Sequence, residues 1–334
     1  MAKSKKALSG KEKEAIQAKG TASYGSASGA NSFLRGRKWE SYRLFLMVLP
    51  CIIFIFIFKY LPLWGWSYAF FQYKVGLPLS QCEFVGLQNF QVLFGNKVMR
   101  TNLFRVLRNT LGIQGLNFLL MPVPMLFAIF LSEIKSTKFQ KTVQTLTTLP
   151  HFISWVIMFS LASSLFGSTG LINTLLDNAG LDATVNILTT SQHVWIIQAL
   201  FNLWKSMGWS SIIYFAAIAG LDQSVYEAAM VDGATRLQKI RYITVPLLIP
   251  TFFVLLIMNI GNFLNSGVDQ FLAFGNALNK SSIEVLDLYV YNLGIGSGQI
   301  SFSVAVGIMK SVVAIILFAS ANFASKKIRG VSVF

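Results

Sequence analysis

The sequence predicts an all-α membrane protein with six transmembrane helices and both ends of the chain on the cytoplasmic side. Three observations carry this. Of 334 residues, 54% are hydrophobic and only 12% charged, about half the charge of an ordinary soluble domain. Six apolar runs, near 42–66, 104–132, 143–166, 194–220, 243–266 and 302–324, reach the roughly 20 residues that cross a hydrocarbon core of about 30 Å. Lys and Arg collect at alternate ends of those runs, as the orientation of spans in a membrane requires.

In chain order, residues 1–40 form a basic arm rich in Lys, Ser, Gly and Ala, expected to be a disordered cytoplasmic tail. Some forty residues precede the first apolar run, too many for a secretory signal, so the run near 42 is expected to be retained as a span at the head of a transmembrane domain over 41–334. Tyr60, Trp64 and Trp66 mark its outer end, and Trp195 the start of the fourth run, where amphipathic rings favour the interface. Pro122 and Pro124 predict a kink late in the second.

Lys135, Lys138, Lys141, then Arg236, Lys239, Arg241, then Lys326, Lys327, Arg329 lie on the same side as the basic tail. The first outer segment departs from the pattern with Lys74, Lys97, Arg100, Arg105 and Arg108. The formal net charge of +15 sits mostly in the tail and in the flanks of the apolar runs, a distribution that argues against nucleic-acid or anionic-surface binding; membrane lipid around the spans, and no nucleic acid, is expected. Cys51 and Cys82 are too few and too poorly placed for a disulfide framework or a metal cluster.

One charged island interrupts the apolar pattern near 222–242. Asp222 or Ser224 can cap a short helix, Glu227 favours the positive end of its dipole, and Ala228, Ala229 and Ala234 favour helix until Gly233 breaks it. A small, Ala-rich face lets another backbone approach closely, as a helix docking in a partner's cleft would need. The same residues also suit an amphipathic connector lying on lipid headgroups.

The spacing of Glu227, Ala228, Ala229, Asp232, Gly233, Ala234, Ile243 and Pro246 resembles the cytoplasmic loop motif of ABC-importer permeases, with Val245 where Leu is usual. FKYLPLWG at 58–65, VGLQNF at 85–90, Asn109-Thr110, WKSMGW at 204–209 and YVYNLGI at 289–295 resemble the oligosaccharide and polysaccharide permeases of the maltose-type carbohydrate-uptake group. The resemblance covers nearly the whole chain from about Leu46.

It implies a type I ABC importer permease fold in a bacterial cytoplasmic (inner) membrane, with the island as a coupling helix. The implied partners are a second, homologous permease in a heterodimer, two ATPase subunits, and an extracytoplasmic solute-binding protein that delivers an oligosaccharide. ATP and Mg would be held by the ATPase subunits; the chain lacks a G-x-x-x-x-G-K-[ST] loop, so no cofactor is expected in it and it is not expected to be an enzyme.

Polar groups inside a span cost about 2.5–3.5 kcal/mol when charged, and so usually face a cavity or a partner. Asn202, Lys205 and Trp209 fall with Gln198 on one helical face, and Asn262 and Asn265 with Asp269 on another. A sugar offers hydroxyls and apolar ring faces, so Asn202, Lys205, Trp209, Asn262 and Asn265, with Tyr214 and Tyr291, are candidate path residues. Helix-to-helix hydrogen bonding serves any one of them equally well. Lys310 lies deep in the sixth run without an evident partner, and His151 and His193 stand apart from any acidic pair. An ion-gradient-driven transporter of a polar solute also fits six spans and Lys205, but leaves the 226–246 island unexplained.

Overall fold

The computed structural model describes residues 28–181 and 187–329. Most of the basic arm expected over 1–40 therefore lies outside the described residues. The described chain is helical almost throughout, with one isolated bridge, Phe71 to Phe84, and no strand. Five stretches are long and apolar enough to cross a membrane: Tyr42–Phe70, Lys97–Ser132, Trp155–Asn178, Arg236–Gly261 and Ile300–Ser320.

Helix α1 (Ser28–Ile55) continues through a π-helical turn, Phe56–Tyr60, into a 3₁₀ stretch, Leu61–Phe70. Pro62 lacks the N–H that would close the next α-turn, and the Leu61 N–H bonds to the Phe56 carbonyl instead, one residue further back. Among the described residues, those up to Gly65 belong to one compact unit and those from Trp66 to another.

The second unit holds α2 (Gln88–Gly95), α3 (Lys97–Leu119), α4 (Pro122–Ser132), α5 (Thr137–Thr148), α6 (Trp155–Phe166), α7 (Leu171–Asn178) and α8 (Val194–Ala219). After these come α9 (Gln223–Val231), α10 (Arg236–Lys239), α11 (Val245–Gly261), α12 (Asp269–Phe274), α13 (Lys280–Ile283), α14 (Leu286–Tyr291) and α15 (Ile300–Arg329). Side-chain oxygens of Asn96, Ser136 and Ser154 cap the starts of α3, α5 and α6.

Two expected spans are broken helices. The run near 104–132 stops at Leu119 and restarts at Pro122; proline sits at the first helical position, where a missing N–H costs nothing, so it starts a helix more than it kinks one. The run near 143–166 is interrupted by a 3₁₀ turn, Leu149–Phe152, around Pro150. The run near 194–220 forms α8, whose 26 residues extend about 39 Å at ~1.5 Å per residue. It is long enough to span, but Gln198, Asn202, Lys205 and a group of serines keep it out of the apolar five.

Two of the exceptional basic residues of the first outer segment, Arg105 and Arg108, find partners inside the protein. Lys97, Arg100, Arg105 and Arg108 belong to α3 and not to a loop. Arg105 pairs with the buried Glu284 at 2.7 Å, and the Arg108 guanidinium lies 5.8 Å from the Trp195 ring centroid. Those two belong to helix packing and not to a loop flanking a span, where the charge rule counts Lys and Arg.

Three apolar clusters hold this unit together. One joins Ile113, Val194, Phe271 and Phe274; a second joins Leu93, Val106, Tyr289 and Val306; a third packs Met125, Ile129, Tyr214 and Leu248. The third fixes α4, α8 and α11 against one another and so sets the walls of the site.

Candidate functional site

Two features carry the chemistry: a capped helical hairpin over 222–246, and a polar cavity between the helices that flank it.

Helix α9 starts at Asp222, whose Oδ1 accepts the Ser224 N–H at 2.9 Å. That bond, more than any charge, holds the Asp222 carboxyl below its ordinary value. At the other end the Gly233 N–H bonds to the Met230 carbonyl at 3.1 Å, and the Ala234 N–H to the Ala229 carbonyl at 2.9 Å. This pair of bonds is a Schellman motif, and it places the residue four after Ala229 in the left-handed region. Gly233 has φ +76° and open space where a Cβ would stand, so glycine is required there by backbone conformation and not by crowding.

The chain then re-enters helix through a capping box: Gln238 N–H donates to Thr235 Oγ1, and Thr235 N–H to Gln238 Oε1 at 2.8 Å. A second π-helical turn, Ile240–Thr244, leads into α11. It too ends two residues before a proline, Pro246, and the Val245 N–H reaches back to the Ile240 carbonyl. The Tyr226 hydroxyl meets buried Thr244 Oγ1 at 2.9 Å, tying α9 to the foot of α11. Glu227, Ala228, Asp232, Gly233 and Pro246 are exposed, while Ala229, Ala234 and Ile243 are half-buried. Met230, Val231 and Leu237 also project from this hairpin into solvent.

A cavity of about 580 Å³ opens among α3, α8, α11 and the loop after α11. Asn202, Trp209 and Tyr214 reach it from α8, and Asn262 and Asn265 from the loop, so five of the seven path candidates share one space. Lys205 and Tyr291 do not line it. Lys205 Nζ donates to the carbonyls of Pro150 at 3.1 Å, His151 at 2.8 Å and Ile153. It caps the broken end of the 3₁₀ turn, where the Pro150 carbonyl also accepts the Ile153 N–H at 3.2 Å. Tyr291 is the last residue of α14 and is half-exposed elsewhere.

The second stripe is also not helical. Helix α11 ends at Gly261, and Gly267 at φ +76° turns the chain before Asp269 begins α12. Asn265 Nδ2 still donates to Asn262 Oδ1 at 3.1 Å, within a turn. Lys310 has its partner within the chain: it pairs with Asp287, whose other oxygen accepts the Ser266 and Gly267 N–H groups at 2.8 and 3.0 Å.

Gln114, Asn117 and Asn259 line the cavity as well and went unnoticed in the sequence. The cost of placing a strongly polar group in a span would have found them, since Gln114 and Asn117 stand three apart in the second run. Asn202 Nδ2 donates to Asn117 Oδ1 at 3.2 Å, and Asn117 Nδ2 to Gln114 Oε1 at 3.2 Å, so the same amides that face the cavity also join α8 to α3. Trp209 is 46% exposed; the His151 ring covers one of its faces at 4.5 Å and 2°, and Phe152 meets it edge-on. One face of the indole is thus backed and fixed.

Residues 120–330 match the family described as binding-protein-dependent transport system inner membrane component. Protein LplB of Bacillus subtilis (strain 168) is 38% identical over 296 residues, which span 88% of this chain and 90% of that protein. The polygalacturonan/rhamnogalacturonan transport system permease protein YteP of the same organism is 41% identical over 286 residues, 85% and 88% of the two chains. In structure the chain resembles one of a bacterial alginate ABC transporter in complex with an alginate pentasaccharide-bound periplasmic protein, at TM-score 0.77 and 35% identity over 88% of this chain and 97% of that one. A second structure, of a bacterial ABC transporter involved in the import of the acidic polysaccharide alginate, matches at TM-score 0.76 and 35% identity, covering 88% and 99%.

Proposed function

This chain belongs to the family of binding-protein-dependent transport system inner membrane components, and from that premise we propose that it is the permease subunit of an ATP-driven importer that passes oligosaccharides across the bacterial cytoplasmic membrane. It is a multi-pass membrane protein, and relatives of this kind are permease subunits and not themselves enzymes. In this reading α8 is the sixth span and both ends of the chain face the cytoplasm. The partners are a second permease, two ATPase subunits that hold ATP and Mg, and an extracytoplasmic binding protein that presents the sugar.

One observation supports the reading above the rest: the 222–246 hairpin directly joins the two helices that supply most of the polar wall of the cavity. Helix α8 carries Asn202, Ser206 and Trp209, α11 and its loop carry Asn259, Asn262 and Asn265, and only Gly220 and Leu221 separate α8 from the Asp222 cap. A push on α9 passes into α8 through that short link and into α11 through Tyr226 and Thr244. Movement of the hairpin therefore moves both walls, which alternating access requires. The cavity suits a sugar because its amides and hydroxyls match hydroxyl groups while Trp209 offers a flat apolar face.

The test is purification of the chain together with the products of its neighbouring genes. Recovery of a second permease and an ATPase whose hydrolysis rises with glycan-loaded binding protein is the expected result. Recovery of the chain alone, moving solute on an ion gradient without ATP, would replace this reading with a secondary transporter.

A further inference from the structure

We propose that Asp287 and Lys310 are positioning residues for sugar passage: their ion pair holds the loop after α11 in the shape that turns Asn262 and Asn265 toward the cavity. The inference rests on the importer reading above and deepens it, giving the polar wall a support that lies outside the wall itself.

The loop leaves regular helix before it reaches the cavity. Helix α11 ends at Gly261, and the hydrogen bonds of Asn262, Phe263 and Asn265 run back to Met258, Asn259 and Ile260 or stay within the turn. Leu264 is buried and anchors the middle by packing. Beyond it, among the described residues, the loop backbone bonds to another element at Asp287: the Ser266 and Gly267 N–H groups both donate to Asp287 Oδ2, at 2.8 and 3.0 Å. With Gly267 at φ +76°, two successive N–H groups converge on one oxygen, the concave arrangement in which backbone binds an anion. Here the anion is a side chain of the same protein.

Asp287 is itself fixed from two sides. It lies in the first turn of α14, whose Leu286 N–H donates to Thr110 Oγ1 of α3 at 2.8 Å. From α15, Ser303 Oγ donates to the Val290 carbonyl at 2.8 Å, and Lys310 takes the remaining carboxylate oxygen, Oδ1. The Lys310 and Asp287 side chains keep only 15% and 16% of their exposure, so solvent ions screen the pair little. The carboxylate thus has one arrangement, Oδ1 to the ammonium and Oδ2 to the loop, and its charge strengthens both N–H bonds.

That constraint passes directly to the cavity. Asn265 precedes Ser266 in the chain, and its Nδ2 donates to Asn262 Oδ1 at 3.1 Å, so the two amides that line the cavity from the loop move as one with the backbone that Asp287 holds. A binding group on a loop is placed less accurately than one on a helix unless a second layer of contacts fixes it. Asn202 and Trp209 have helix α8 for that purpose; Asn262 and Asn265 have the Asp287–Lys310 pair.

Hydrogen exchange on the purified transporter, together with uptake by the same assembly in liposomes, tests this. The sugar probe is the member of a panel of neutral and uronate tetrasaccharides, loaded on the binding protein, that the unaltered transporter takes up fastest. Lys310→Met is expected to speed amide exchange over 262–267 at least about tenfold, with exchange over 223–231 unchanged. It is also expected to lower the sugar imported per ATP hydrolysed at least about threefold. Asp287→Lys combined with Lys310→Asp separates positioning from stability, because it restores an ion pair while an ammonium at 287 cannot accept the Ser266 and Gly267 N–H groups. This double variant is expected to regain Tm relative to Lys310→Met, with its loop still exchanging fast and its yield of sugar per ATP still low. Gly267→Val lies at an exposed position with open space for a side chain but a φ that valine resists. It is expected to release the loop with the ion pair intact, and it decides the matter even where the charge variants do not assemble. Unchanged exchange or unchanged yield in Gly267→Val, or recovery of either in the double variant, would overturn the proposal. ATP-independent uptake by the unaltered protein would instead bring down the importer reading, whereas the exchange result reports on the loop without any transport.

Discussion

Lys205 illustrates how a residue changes meaning once its neighbours are known. On the sequence it is a cation stranded in a span and a natural candidate to meet substrate; in the structure it closes a break in the neighbouring helix with bonds to three carbonyls. Its removal is a stability defect. Lys205→Met is expected to destabilise the purified assembly by about 1.5–3 kcal/mol, the range for hydrogen bonds to a charged group, seen as a lowered Tm, with ATP-dependent uptake per assembled transporter unmoved. Tyr226 went without a role in the sequence, because nothing at that level says its hydroxyl reaches Thr244, eighteen positions away. Tyr226→Phe is expected to cost about 1 kcal/mol and to speed amide hydrogen exchange over 223–231, with exchange in α3 unchanged.

Helix α9 is the element whose ends matter most. A valine at Gly233 must hold the left-handed conformation at about 1–2 kcal/mol, and the Schellman bonds to Ala229 and Met230 would be the first to open. Gly233→Val is therefore expected to leave the protein inserted while lowering the amount of sugar imported per ATP hydrolysed; an unchanged ratio would remove α9 from the coupling role. At the opposite end, the Asp222 carboxyl is depressed by its bond to the Ser224 N–H. A group whose pKa is lower in the folded state adds stability above its unfolded value and loses it as pH falls through the folded one. Exchange protection at the start of α9 should hence be constant at neutral pH and fade only below the ordinary aspartate range, while Asp222→Ala should lack that acid dependence.

Much of this element was legible beforehand: the cap, the alanines and the breaking glycine all act within a few residues of one another. What escaped were features set by distant contacts. The break at Pro150 is held by Lys205 from another helix, and Gly208 of α8 lies so close to Thr147 that an added Cβ would stand 2.2 Å from its carbonyl oxygen. That crossing was invisible in a run that read only as apolar. Gly208→Leu must force α8 away from α5, and loss of assembled protein on size-exclusion chromatography is the expected outcome.

At the scale of the molecule, the apolar runs and their polar interruptions were readable because hydropathy is summed along the chain. Where they stop and restart was not, since Leu119, Thr148 and Gly261 end helices for reasons of packing and local backbone. The cavity follows from those stops: the loop released after Gly261 brings Asn262 and Asn265 round to face Asn202 and Trp209 of α8. In the proposed reading, a hairpin that joins both walls and an interior of amides around one backed indole would form a path whose opening is driven from the 222–246 end.

The most direct measurement is sugar uptake by the complete transporter in liposomes, with and without ATP inside and with ion gradients collapsed. Uptake that requires ATP, survives loss of the gradients and fails in Gly233→Val while ATP hydrolysis continues is the predicted result. Uptake that persists without ATP, or is untouched by the Gly233 substitution, would contradict the account.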